Sequence, residues 1–104
     1  MIKNHIENIN ALKNAVERMH CCKAFHVEEI ALIENFGPKT VWQGIVRVFR
    51  IEGHPQTDIC YAWSSPIGGS KKRRYYAVLK LPPINSAEGA VRASIVHNHK
   101  LGKL

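Results

Sequence analysis

Long apolar runs are missing from this sequence. Nowhere do its 104 residues string together the ~20 apolar side chains that a membrane-spanning helix needs, so no membrane partner is expected. The first residues, Met-Ile-Lys-Asn-His-Ile-Glu, lack the charged-then-apolar layout of an export signal. Cysteine is scarce: there are three, an odd number that cannot all pair within the chain. Two of them, Cys21 and Cys22, are neighbours, which ordinary disulfide geometry does not suit. A reduced, cytoplasmic protein is the expectation. Low-complexity tracts, internal repeats and linkers are absent, and 45% apolar content is too high for intrinsic disorder. One domain spanning residues 1–104 follows. Its packing must offset an ordering cost on the order of 100–200 kcal/mol without disulfide help.

Catalytic signatures are missing too. There is no G-x-S-x-G elbow, no G-x-x-x-x-G-K-S/T loop, no H-E-x-x-H and no G-x-G-x-x-G. Gly68-Gly69-Ser70-Lys71 has the flavour of a phosphate loop, but it precedes a strand, so no helix N-terminus is available to hold an anion. The acids are scattered and Asp58 is the only aspartate. Glu52 and His54 could form an acid–base pair, although their spacing suits a solvated turn equally well. His20, Cys21, Cys22 and His26 lie within seven residues. Adjacent cysteines point in different directions on a helix, and zinc sites typically use pairs such as C-x2-C. His97 and His99 define no site by themselves. No metal and no cofactor is expected, and the chain reads as non-catalytic.

What is present is a clear succession of elements. Ile2, Ile6, Ile9, Leu12, Val16 and Met19 recur every three or four residues and place a helix over residues 3–21. The stripe is narrow enough to serve also as a coiled-coil seam. Residues 24–34 alternate as a strand, with Phe25, Val27, Ala31 and Ile33 of one parity, while Glu28-Glu29 leave a helix open. Phe36-Gly37-Pro38-Lys39 marks a turn. Residues 40–51, rich in β-branched and aromatic side chains, are the strongest strand, closed by Gly53-His54-Pro55-Gln56. Strands over 58–64 and 73–81 flank a loop at 65–70, and Pro82-Pro83 stops the second of them. A last helix starts at Asn85 or Ser86, where Asn85 and Glu88 have capping-box spacing. Ala87, Ala90, Val91, Ser94 and Ile95 give it a small-residue face, and the tail from about residue 98 is expected to fray. The fold class is α+β, in the order α-β-β-β-β-α, an antiparallel four-strand meander packed against two helices.

Charge carries the functional signal. Residues 1–70 hold seven basic and seven acidic residues, whereas residues 71–104 hold eight basic residues and only Glu88 as an acid, so the whole net charge of +7 lies in the last third. Lys71, Lys72, Arg73 and Arg74 are contiguous and run directly into Tyr75 and Tyr76. Cations beside exposed aromatics are what phosphate neutralisation and base stacking require, although a solvated hairpin tip would have the same composition. The order of elements resembles that of the double-stranded RNA-binding domain. That family clusters lysines at the start of its last helix, where this chain has Asn85-Ser86-Ala87-Glu88-Gly89, and an extra strand is present here. No residue role is carried over.

Two expectations follow. Nucleic acid is the expected partner, bound weakly and without sequence preference through Lys71, Lys72, Arg73, Arg74, Tyr75 and Tyr76, with Arg92 adding charge. A homodimer is the second, because two helices on one sheet face would leave Trp42, Val46, Val48, Tyr76 and Val78 uncovered on the other. A structural or protein-interaction module is the alternative reading, and a small-ligand pocket or enzyme the third.

Overall fold

A computed structural model describes residues 9–67 and 71–100, with side chains described as far as His97. Helix α1 (Ile9–His20) is followed by strands β1 (Lys23–Phe36), β2 (Lys39–Glu52), β3 (Ile59–Pro66) and β4 (Arg73–Leu79), and helix α2 (Ala87–Lys100) closes the order. The strands form one antiparallel sheet in the order β1-β2-β3-β4. The α-β-β-β-β-α meander expected from the pattern is the architecture observed.

Local chemistry sets the element boundaries. Within α1 the stripe buries Leu12, Ala15 and Val16, while Met19, at its far end, is 52% exposed. Ile2 and Ile6 lie outside the described residues. The helix ends one residue earlier than its periodicity suggests, because Cys21 turns into the left-handed region (φ 51°). The Cys22 amide then donates back to the Glu17 carbonyl at 3.3 Å, a six-to-one closure that usually employs glycine at the Cys21 position. The Glu17 carboxylate accepts the Ala24 amide at 2.8 Å and ties the helix end to the first strand.

Residues 24–34 are strand, not helix, and the strand is longer than that span. It pairs with β2 all the way to the Gly37 turn, with shifts of register beside Val27 and between Glu34 and Asn35. α2 is capped by Ser86, whose hydroxyl accepts the Gly89 amide at 3.0 Å. That moves the cap one residue past Asn85 and puts glycine where a reciprocating Glu88 was expected. The helix also continues to Lys100 instead of fraying at 98, since no proline or glycine interrupts it after Gly89; residues 101–104 lie outside the described residues.

The expectation that both helices share one face is corrected. They lie on opposite faces of the sheet, so the strands are sandwiched. Leu12 and Val16 of α1 pack with Ala24, Phe49, Ile51, Cys60 and Ala62. Ala87, Ala90 and Val91 of α2 pack with Val46, Val48, Tyr61 and Trp63. The alternation of β2 demands this, because Val46 and Val48 point one way and Phe49 and Ile51 the other, and each row needs its own cover. Val46 and Val48 are therefore buried inside the chain, and Trp42, Tyr76 and Val78 are half-buried against the same cluster. The surface proposed as a dimer face is occupied by α2.

The two hairpins differ in length and separate at one end. β1 and β2 are 14 residues each, β3 is 8 and β4 is 7. β2 and β3 pair only from Arg50 opposite Ile59 to Arg47 opposite Ala62. Beyond Arg47 the sheet forks.

Candidate nucleic-acid interface

The basic residues sit on one prong of that fork. Lys71, Lys72, Arg73 and Arg74 are all exposed, as the cost of burying unpaired charge requires. Arg73 stands opposite Pro66 and Arg74 opposite Ser65, and the Ile67 amide donates to the Lys72 carbonyl at 3.0 Å. Gly68, Gly69 and Ser70, the phosphate-loop candidate, lie outside the described residues. β4 is an edge strand, so the run is open to solvent along its length.

Strand alternation splits the run between two faces. Arg73 shares its face with Tyr75 on the α1 side. Its Nε donates to the Ser64 hydroxyl at 2.7 Å and its terminal nitrogen to the Ser64 carbonyl at 3.2 Å. Arg74 shares the α2 side with Tyr76. The two tyrosines are half-buried and do not form one exposed stacking pair. Tyr75 packs against the α1 cluster, while Tyr76 stacks on Trp63 with ring centroids 5.2 Å apart and planes 8° apart. Consecutive residues of a strand cannot offer both rings to one ligand.

Arg92 is corrected as well. Its Nε donates to the Glu34 carboxylate at 2.6 Å, and a second nitrogen lies 3.4 Å from Glu88. Glu34 is buried and belongs to β1, the sheet edge opposite β4. The hydrogen bond to Glu34, then the nearby Glu34 and Glu88 charges, push the Arg92 pKa further up. Its charge is thus compensated far from the basic prong, and its role is to fasten α2 to β1.

The fork itself holds a feature that sequence parity did not show. Trp42 meets Trp63 edge to face at 6.1 Å, so Trp42, Trp63 and Tyr76 form a continuous aromatic row across β2, β3 and β4. Between this row and α2 lies a cleft of about 150 Å³, whose walls also include Val41, Ser65, Ser94 and Ile95. Gly44 makes the row possible. A Cβ there would sit 3.0 Å from the Trp42 ring, so the ring lies back over its own strand only because Gly44 has no side chain. The signal available in the sequence was the i,i+2 pairing of Trp42 with Gly44. Meeting Trp63 depends on the β2–β3 register.

The other candidate groups are dispersed. His20 Nε2 bonds the Ala77 carbonyl at 2.7 Å, His26 packs edge-on against Phe49, and Cys21 is exposed while Cys22 is half-buried. Burial, then the neighbouring Cys22, pushes the Cys60 thiol up to about 12, which leaves it protonated and unreactive. Glu52 is held by Arg50 and His54 Nδ1 accepts the Gln56 amide at 3.1 Å, so the two do not form a couple. Among the described residues no three histidine, cysteine or acidic side chains gather as a metal site. His97 is exposed, and the His99 side chain is outside the described set.

No family model matches the chain, and no curated protein and no solved structure matches it. The likeness to the double-stranded RNA-binding domain stops at the order of the elements.

Proposed function

We propose that this protein is a small non-catalytic module that binds nucleic acid weakly, without sequence preference, through the β3–β4 hairpin. The observation that carries the reading is the solvent exposure of Lys71, Lys72, Arg73 and Arg74 where the chain enters the edge strand β4, in the third of the chain that holds its entire excess charge. Phosphates neutralised there release counterions, so affinity falls with a log–log salt slope of about −0.9 per contact on duplex DNA. Four contacts lose about two orders of magnitude over a fourfold rise in salt. Three free thiols fit a reducing, cytoplasmic setting, and no helix among the described residues is long and apolar enough to cross a membrane.

The test is a salt titration of binding to duplex and single-stranded oligonucleotides. The triple variant Lys71→Ser, Lys72→Ser, Arg74→Ser spares Arg73, which holds Ser64 in place. It should flatten the slope by about three contacts while the melting temperature stays unchanged. A wild-type protein that binds neither duplex nor single strand at low salt overturns the reading.

A second reading, self-association as a homodimer, is favoured by a different surface from the one first expected. On the α1 side of the projecting β1–β2 hairpin, Ile33 and Ile45 are 56% and 43% exposed, beside Phe36 at 80%. Sedimentation at micromolar concentration separates a dimer from the 11.8 kDa monomer.

A further inference from the structure

We propose that the cleft in the fork takes one unstacked base of a single-stranded nucleic acid, with the adjoining phosphate held by Arg74. This rests on the polyanion reading above and deepens it by naming the form of nucleic acid.

Four observations converge on the cleft. Its volume of about 150 Å³ matches a cavity that accommodates a single six-membered ring, so it admits one pyrimidine-sized base and not a stacked pair. Its walls are flat and aromatic on one side, from Trp42 and Tyr76, and aliphatic on the other, from Val91 and Ile95, the surfaces on which a base loses little by leaving water. Ser65 and Ser94 are among the lining residues, and a serine hydroxyl can meet a base edge as donor or acceptor. The charge sits where a phosphate would lie: Arg74 stands directly opposite Ser65 and two residues before Tyr76, on the same face, ~7 Å along the strand. That distance is comparable to the reach from a base to its own phosphate.

Strand separation follows from the same geometry. A duplex keeps its bases stacked and can offer this hairpin only phosphates, whereas a base enters the cleft only after leaving the stack. The aromatic row is held by packing before any ligand arrives, since Trp63 is 2% exposed and locked between Trp42 and Tyr76.

The experiment compares a ten-residue thymidine oligonucleotide with an abasic deoxyribose-phosphate chain of equal length, at fixed salt. Both tryptophans of the chain belong to the aromatic row, so their fluorescence reports on the cleft. The thymidine oligomer should bind about tenfold more tightly than the abasic chain and quench the emission, which the abasic chain should not do. The variant Ser94→Phe, which fills the cleft from α2, should bring thymidine binding down to the abasic level while leaving abasic binding unchanged. Equal wild-type affinity for both chains overturns base insertion and leaves the polyanion reading standing. A folded Ser94→Phe variant that keeps the thymidine preference also overturns it. Absence of binding to either chain at low salt overturns both readings. If Ser94→Phe fails to fold, the wild-type comparison decides alone.

Discussion

The two faces of the sheet are built from different materials. Under α1 the core is closed and mostly aliphatic, with Leu12, Val16, Phe49, Cys60 and Ala62 all fully buried. Under α2 the core is aromatic and open at one end, where Trp42, Tyr76 and Ile95 are only half-buried. α2 itself packs through Ala87, Ala90 and Val91, side chains too small to fill the fork. The difference assigns the faces unequal work: the α1 side is a closed core, and the α2 side keeps a cleft beside its aromatic row.

That comparison breaks most readily at Phe49. Phe49→Ala should cost about 3–5 kcal/mol, whereas Trp42→Ala, which removes a larger but half-exposed ring, should cost about 1–2 kcal/mol. Urea denaturation measures both, and a Trp42 variant weaker than the Phe49 variant would reverse the assignment. An intermediate effect is expected at the fastening of α2. Arg92→Ala leaves the Glu34 carboxylate buried beside β1 without its partner, at about 1–3 kcal/mol. Adding Glu34→Leu should recover most of that loss, because the cost lies in the stranded charge. The smallest effect sharpens the α1 side. Cys21 holds a left-handed conformation at the helix end, which costs roughly 1–2 kcal/mol for a residue with a Cβ. Cys21→Gly relieves that strain but enlarges the entropy of the unfolded chain, so a net gain of about 1 kcal/mol is expected. Calorimetry should show the melting temperature rising by about 5 °C.

Much of the fold was legible because strand alternation and helix periodicity are local. The strand over residues 73–81 could be read without knowing what covers it, and the small-residue face of α2 was visible as Ala87, Ala90 and Val91. The exposure of Lys71, Lys72, Arg73 and Arg74 was equally legible, since four adjacent cations have no low-cost buried arrangement. Less of the candidate site could be read. Tyr75 and Tyr76 looked like a pair in sequence, yet their alternation places each in a different core. Arg92 looked like an added cation, yet it is answered by Glu34, 58 positions away in the chain.

The amino-acid sequence by itself determined most of the order of strands and helices, where the chain turns, and that four contiguous cations lie on one surface hairpin. These depend on side-chain period, backbone freedom and the cost of burying charge, all of which act over a few residues. Only the tertiary structure decided that the helices take opposite faces, that β2 and β3 part after Arg47, and that Trp42, Trp63 and Tyr76 line a cleft between the hairpins. Those outcomes depend on register and on which apolar row each helix covers. Both are settled by packing between segments far apart in the chain, and no local pattern encodes them.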